Sequence, residues 1–466
     1  MQNLKQNADT QNNAEIRKQI PDYVQWILQI LEEHGFEAWC VGGCVRDILR
    51  GLTPHDWDVT TNALPQQVMS LFHGRAFPTG LQHGTVTIAK NHAHVEVTTF
   101  RCDGAYQDFR HPSSVTFTRS LSEDLRRRDF TVNAMAMNAH GQIFDPFGGQ
   151  RDLQAKVLRC VGSPDERFHE DALRLMRGLR FAAVHELIPD TLTAESIHRN
   201  RELLSRIAPE RIREELLQLL CGVRTTDVLR QFPDVISVFW PEITDMLNVP
   251  QHNPWHCCDL WEHTLHALDA AEQNNVVLRC TMLLHDVGKP RTFTMDEQGT
   301  GHFYRHGDVG CKMADAMLRR LKCSNAFRSQ VVTLVEWHDR PVEATEKSVR
   351  RALAQLGEET FRLLLAVKRA DNLAQAEWTH DAVQRQLDDT QRILEHLIHE
   401  KEICFTLRQL AVNGHDMMET GFHGREIGTV LNELLNRVID GELSNERETL
   451  LSAARERYER SSADGN

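Results

Sequence analysis

An α+β fold is expected, with strands gathered near the N-terminus and helices filling the remainder. Three observations carry this. The segments EAWCVGG (37–43) and HVEVTTF (94–100) read as strands, the second by strict alternation. Beyond residue 160, runs such as RFHEDALRLMRGLRFAA and RIAPERIREELLQLL place apolar residues at helical spacing. At 466 residues the chain is long enough for two or more domains, each with its own core.

No run of about eighteen apolar residues could span a membrane, and MQNLKQNADTQNNAEIRKQ lacks the apolar core of a secretory signal. A cytoplasmic chain is therefore expected, with residues 1–20 as a flexible tail. The eleven cysteines are scattered, and Cys257 and Cys258 fit no CxxC spacing, which argues against a disulfide framework or structural zinc. A formal net charge of -13 excludes coating of nucleic acid by charge alone. The segment from Trp39 to Arg180 is about neutral, so a local basic groove remains open to RNA.

Tyr23 to His34 carries apolar residues at helical spacing, and Gly35 suits the helix end. The strand EAWCVGG follows. Gly42 and Gly43 would let the backbone approach a phosphate, with a helix from near Val45 offering N–H groups and Arg46 adding charge. Asp56 and Asp58, one residue apart on an expected strand, would aim both carboxylates to one side. Glu96, on HVEVTTF, supplies a third from a neighbouring strand. Such a set suits magnesium, which keeps waters and takes phosphate oxygens, and it supports two-metal nucleotidyl transfer. Singly, each feature has a plainer reading: a double glycine is more often a turn, and a strand-edge glutamate is usually just solvated.

RCDGAYQDFRHPSSVTF (101–117) is polar and broken by glycine and proline, so a mobile loop is expected. In LRRRDFTVNAMAM, Arg127 and Arg128 could neutralise phosphates. Asp129 and Asn133, four apart, would share a helix face and could fix a ribose.

The pieces GGCVRD, HDWD, RHPSSVTF, RRDFTVNAMA, FDPFGG, EDALR and PERIREEL, in this order from about Trp39 to Leu220, resemble the class II tRNA nucleotidyltransferases (CCA-adding enzymes) and their relatives the bacterial poly(A) polymerases. The resemblance implies a polymerase-beta-like nucleotidyltransferase head, a mixed sheet plus helices, followed by a mostly α-helical neck, body and tail. It gives Asp56 and Asp58 the role of metal ligands.

Asp171 and Arg174 are three apart on the expected helix Arg167–Ala183 and would project from one face. A carboxylate accepts from an exocyclic amino group and a guanidinium donates to a ring nitrogen or carbonyl, a match for cytosine and adenine but not for guanine or uracil. The structural alternative is an intrahelical ion pair worth about 0.2–0.5 kcal/mol. The resemblance implies that Glu170, Asp171 and Arg174 form a protein template selecting CTP and ATP, with Glu170 orienting the arginine. It assigns Arg206–Leu220 to the neck, and Glu210 and Arg211 receive no catalytic role.

From Trp255 histidines gather. His263, then His285 and Asp286 in LLHDVGKP, then Asp371 stand in the order H…HD…D, which looks like an HD-type phosphohydrolase domain; His306 and His338 could extend the set toward two metals. Imidazole with carboxylate suits manganese, nickel, cobalt, iron or zinc alike. Lys289 could contact a phosphate. In GHFYRHGD, Arg305 and Gly307 stand where that family tends to have glycine and glutamate nearby, which leaves the substrate open. The resemblance implies phosphatase or cyclic phosphodiesterase action on RNA ends or small nucleotides.

KEICFTLRQLAVNGHDMMETGFHGREIGTVLNELLNRVIDGELSN reads as helices broken at Gly414, Gly421, Gly424 and Gly441, with fraying after Arg455. Gly424 to Gly428 could open a helix toward an RNA phosphate, and the resemblance places this tail against the tRNA elbow. The expected organisation is a tail (1–20), head (21–160), neck (161–225), HD-containing body (226–380) and tRNA-binding tail (381–466). CTP, ATP and the tRNA 3′ end are the expected partners, and no membrane. Ordered C, C and A addition is expected. The alternatives are a poly(A) polymerase, a partial CC- or A-adding enzyme, or an HD hydrolase with a non-catalytic head.

Overall fold

A computed structural model of the protein describes residues 13–104, 114–399 and 406–463. The chain forms two compact units that divide between Pro241 and Glu242. Within the described residues no helix is long and apolar enough to cross a membrane, and every cysteine is a free thiol.

The first unit is built on a mixed seven-stranded sheet. Its strands are β1 (Ala38–Val41), β2 (Asp58–Thr61), β3 (Ala76–Gly80), β4 (Thr85–Lys90), β5 (Ala93–Thr99), β8 (Ala136–Met137) and β9 (Ile143–Phe144), in the order β3-β4-β5-β2-β1-β8-β9. β6 (Arg101–Asp103) and β7 (Val115–Phe117) make a separate antiparallel ribbon. β2 runs parallel to β5 and antiparallel to β1. The helix Asp22–Glu33 buries Val24, Ile27, Leu28 and Leu31 on one stripe against the inward residues of the sheet, among them Cys40, Val59, Val86, Val95 and Val97. The opposite face is covered by a second cluster that includes Val41, Phe100, Leu125 and Val161.

Two expectations change here. The flexible tail does not extend to residue 20: residues 13–18 are helical, and Ile16 (6 % exposed) and Ile20 (2 %) join the core under the sheet. Apolar side chains in that polar stretch are few, but their burial is what orders it. The expected loop 101–117 is also shorter, because Arg101–Asp103 and Val115–Phe117 pair in register. Residues 105–113, the rest of that loop, lie outside the described residues, as do residues 400–405.

Beyond the sheet come the helices Pro164–Glu170, Leu173–Val184, Thr191–Asn200 and Pro209–Leu220. Leu173–Val184 and Pro209–Leu220 are tied by Arg180 Nε to Glu215 Oε2 at 2.7 Å and Arg180 Nη1 to Gln218 Oε1 at 2.6 Å. Among its described residues the second unit is helical apart from one ribbon of two two-residue strands, with Leu260–Ala270, Val276–Leu284, His306–Arg320, Asn325–Trp337 and the long Glu346–Leu373 packed on one another. A small satellite core holds the helices Gly414–Thr420, Arg425–Ile439 and Arg447–Ala463 together. The last of these continues past Arg455 instead of fraying, since Tyr458 packs edge-on against Phe422 and Arg457 pairs with Glu433 at 2.9 Å.

Candidate active site and a second histidine centre

Strand register assembles the first site. Asp58 opens β2, with Val41 opposite on β1 and Glu96 opposite on β5. Val59, Val95 and Val97 face the core, so Asp58 and Glu96, one residue out of phase, emerge on the other side. Asp56 precedes the strand and does not lie on it. Its carboxylate reaches the same cavity as that of Asp58 from the segment before the strand. Both line a cavity of about 640 Å³; Glu96 stands beside Asp58 outside that lining. Desolvation raises the Asp58 carboxyl above its ordinary value, and Glu96 and Asp56 push the same way against Arg128. A divalent cation among these oxygens would reverse that cost, so the donor set fits magnesium.

Gly42 closes the turn above them with φ of 80°. The backbone angle demands glycine, and a Cβ there would meet Arg128 Nη1 at 2.8 Å and displace that guanidinium. The following helix starts at Gly43, two residues earlier than expected. Arg46 is buried, paired to Asp47 at 2.8 Å and donating to Asn133 Oδ1 at 2.8 Å. Arg127 pairs with Asp124 at 2.9 Å. Arg128 Nε is buried with no hydrogen bond among the described residues. Six arginines (46, 127, 128, 174, 177, 180) and five aspartates (47, 56, 58, 129, 171) line the cavity, leaving it nearly balanced before any anion enters. A triphosphate would therefore need its own cation as well as the guanidinium groups.

Asp129 and Asn133 do not share an α-helical face. They sit on a turn followed by a short 3₁₀ segment, and Asn133 Nδ2 still reaches Asp129 Oδ1 at 3.3 Å. Burial alone would raise the Asp129 carboxyl, but Arg177 and Arg174 override it and hold the group at about 2, against an ordinary 3.8. A depressed pKa stabilises the fold above the unfolded value, and this contribution is lost as pH falls through the folded one. Asp129→Asn is thus expected to destabilise the protein by about 2 kcal/mol at neutral pH. The difference from the parent should close between about pH 4 and pH 2, read by urea unfolding across that range.

The expected helix Arg167–Ala183 is broken. Pro164–Glu170 ends where Asp171 turns extended (φ −137°, ψ 104°), and a new helix begins at Leu173. Asp171 Oδ1 accepts from Leu173 N–H at 3.0 Å, so the aspartate caps the new helix instead of continuing the old one. Glu170 Oε2 accepts from Arg174 Nη1 at 2.6 Å, and the arginine also donates to the Arg127 carbonyl at 2.9 Å. Asp171 and Arg174 both line the cavity, while Glu170 stands behind the arginine. Residues not singled out from the sequence complete the site. Arg177 and Arg180 follow Arg174 at helical spacing and line the same cavity with Phe181 and His185. Arg211 Nη2 lies 3.4 Å from Asp171 Oδ2. The i, i+3, i+6 arginines were a readable signal; a partner forty positions away was not.

In the second unit the six residues named from the sequence converge. His263 Nε2, His285 Nε2, Asp286 Oδ2 and Asp371 Oδ1 lie 3.1–3.5 Å apart wherever they face one another. Asp286 turns its other oxygen to His306 Nε2 (3.3 Å) and His338 Nε2 (3.5 Å), which are 3.0 Å from each other. The inward aim has a backbone cause. Nδ1 donates to the Met282 carbonyl from His285 (2.7 Å), to Phe303 from His306 (2.8 Å), to Val335 from His338 (2.7 Å) and to Ala374 from His263 (3.3 Å). That leaves each Nε2 lone pair for the centre.

Burial would raise both Asp286 and Asp371, yet the facing imidazoles, with Lys289 beside Asp286, hold them well below the usual range. Asp286 Oδ2 makes no well-directed hydrogen bond although Lys289 Nζ is 2.7 Å away. Metal–ligand bonds of about 2.0–2.2 Å set neighbouring donors roughly 3–3.5 Å apart, so both groups fit a first-row divalent ion. His256, also missed from the sequence, hydrogen-bonds Asn253 at 2.7 Å and stays neutral, since burial, with Lys289 nearby, pulls it down to about 3.

Residues 38–159 match the poly A polymerase head domain, residues 187–234 the probable RNA- and SrmB-binding site of polymerase A, and residues 303–454 the tRNA nucleotidyltransferase domain 2 family. The CCA-adding enzyme of Latilactobacillus sakei is 36% identical over 433 residues, spanning 92% of this chain and 96% of that protein. The CCA-adding enzyme of Lactobacillus delbrueckii is 42% identical over 252 residues, and there the match covers 48% of this chain and only 63% of the relative. The crystal structure of the Bacillus stearothermophilus CCA-adding enzyme in complex with CTP superposes with a TM-score of 0.70 at 28% identity, over 94% of this chain and 98% of that one. The fold is accordingly a nucleotidyltransferase head with a mixed sheet, followed by a mostly helical remainder. The chain belongs to the class II CCA-adding enzyme and poly(A) polymerase family.

Proposed function

We propose that the protein adds C, C and A to the 3′ end of tRNA from CTP and ATP without a nucleic-acid template, releasing pyrophosphate. The observation that carries this is the meeting of Asp56 and Asp58 with Asp171 and Arg174 in one cavity. Magnesium held by Asp56 and Asp58, with Glu96 beside them, supplies charge neutralisation and activation of the attacking ribose hydroxyl. The chain's own groups do the rest. Arg127 and Arg128 neutralise phosphate, and Gly42 leaves room for Arg128 to reach the turn. Glu170 holds Arg174 so that the guanidinium and the Asp171 carboxylate present one donor edge and one acceptor edge. Arg211 braces Asp171 from the neck.

The test supplies tRNAs ending before the CCA, after C and after CC with each labelled nucleotide in turn. Two C and one A in order support the reading; unlimited A addition replaces it with a poly(A) polymerase, and arrest after CC with a partial enzyme. In the same assay Asp171→Ala is expected to lower the preference for CTP and ATP over GTP and UTP by about tenfold or more. Unchanged discrimination would remove Asp171 from base choice.

The buried His–Asp centre favours a second activity in the same chain, a metal-dependent phosphohydrolase acting on phosphate monoesters or cyclic phosphodiesters of RNA ends or small nucleotides. His263, His285, Asp286 and Asp371 would hold one ion, and His306 and His338 with Asp286 a second. Manganese, nickel, cobalt, iron and zinc all suit these donors; bound there, such an ion supplies Lewis acidity and water activation. Lys289, fixed by Gln251 Oε1 at 2.9 Å, presents a cation beside Asp286 where a phosphate oxygen would arrive.

A further inference from the structure

The histidine centre opens into a cavity of about 290 Å³ with two chemically different ends. Asp286, His306, His338 and Asp371 are on its lining, as are Trp255, His302 and Tyr304, of which Trp255 and Tyr304 are exposed. Trp255 is 46% exposed and Tyr304 69%; Trp378 of the same unit is 65% exposed but does not line this cavity. Both rings line the same opening and neither is buried in the core, so both remain available to a ligand there.

The backbone that carries Trp255 is held in place: its main-chain N–H donates to Asn253 Oδ1 at 3.2 Å, and its carbonyl accepts from Ala376 N–H at 2.9 Å, five residues after Asp371. The Tyr304 ring lies on His302, with centroids 5.2 Å apart and planes 9° from parallel. Arg305 has φ of 60°, a left-handed backbone that costs a non-glycine residue energy. This strained residue is the link between the exposed Tyr304 and the buried His306. The same turn thus sends one ring outward and the other into the centre.

From this juxtaposition we infer that Trp255 and the Tyr304–His302 pair form a stacking platform for a nucleobase, and that the centre's substrate is a nucleotide whose terminal base is unpaired. The inference rests on the phosphohydrolase reading. The cavity has room for a phosphate and a ribose at the floor but is at the small end for a whole ligand, which leaves the base at the aromatic rim. Base stacking on aromatic side chains tolerates any base, because each has a π-face. In the reaction water adds to phosphorus, the ester P–O bond breaks and the departing alkoxide takes a proton, giving a nucleoside and inorganic phosphate. A free nucleotide and an RNA 3′ end share this chemistry.

The test compares uridine 3′-monophosphate, an RNA octamer ending in a 3′-phosphate and glycerol 2-phosphate as substrates with manganese present. Trp255→Ala and Tyr304→Ala should each lower the preference for uridine 3′-monophosphate over glycerol 2-phosphate by about tenfold, through KM more than kcat, and Trp255→Phe should restore most of it. The octamer turning over with the higher kcat/KM assigns the site to RNA ends, and the mononucleotide doing so assigns it to free nucleotides. Without metal, irradiation with 4-thiouridine 3′-monophosphate should cross-link the peptides carrying Trp255 or Tyr304. If Asp286→Asn abolishes hydrolysis while the aromatic variants keep the parent's preference, or if no cross-link maps to these peptides, the platform is overturned alone. Hydrolysis that survives Asp286→Asn overturns both readings.

Discussion

Asp58→Ala is expected to slow addition of the first C to a tRNA lacking its end by about a thousandfold or more, the scale of several kcal/mol of lost charge stabilisation in the transition state. Three features make this the most damaging single change in the head. Asp58 is fixed between Val41 and Glu96 by the pairing of β2 with both neighbours, so its carboxylate is held in one place in the cavity. Its carboxyl lies above its ordinary pKa because burial and the adjacent acids disfavour its charge, which is the condition a bound cation relieves. The near balance of arginine and aspartate in the cavity leaves little spare charge to stabilise a pentavalent phosphorus without that ion. The fold should survive, because Asp58 contributes nothing to either core cluster of the head. Single-turnover addition with saturating CTP measures the effect, and circular dichroism checks the fold. Glu96→Ala should cost less, since Glu96 lies outside the cavity lining. Addition by Asp58→Ala within about tenfold of the parent would remove Asp58 from the metal site.

What was readable in the sequence, and what was not, follows from where each partner lies. The strands around Asp58 and Glu96 declare themselves because side chains alternate every second residue and Val95 and Val97 must be inside. Glu170 and Arg174, four apart, do meet, but across the break between two helices and not on neighbouring turns of one. Asp171 shows the limit of the same logic. Helical periodicity ran unbroken through it, but an aspartate can accept from the N–H two residues on and start a new helix instead of extending the old one, and its second oxygen lies 3.4 Å from Arg211, forty residues on. Asp129 and Asn133 had helical spacing too, but Asp129 lies on the preceding turn with its carboxylate held by Arg177, and only Asn133 falls in the 3₁₀ segment. Ile16 and Ile20 were invisible in a polar segment, since two apolar residues make no pattern until a core exists to receive them. In the second unit the order of histidines and aspartates was legible. The reason their Nε2 atoms converge, a backbone carbonyl behind each Nδ1, is a property of helix ends and has no sequence signature.

The second large effect is expected at Asp286. Its two oxygens face different donor groups, Oδ2 toward His263 and His285 and Oδ1 toward His306 and His338. Every other residue of the centre serves one group only. Asp286→Ala should therefore empty both positions together, taking bound manganese from about two equivalents toward none, whereas His338→Ala should remove only the second. Phosphohydrolysis should fall by about a thousandfold in Asp286→Ala. Four inward imidazoles and Lys289 would then face Asp371 as the one remaining carboxylate of the centre, so the unit should also lose stability because the buried Lys289 loses its carboxylate partner at 2.7 Å. Asparagine at position 286 keeps the volume and separates this charge effect from a packing defect. Metal analysis after dialysis, run beside CCA addition by the same preparations, gives the decisive contrast. Loss of metal and hydrolysis with tRNA end addition retained makes the chain a bearer of two independent centres. Parallel loss of end addition in Asp286→Asn would instead make the histidine centre a structural support of the transferase.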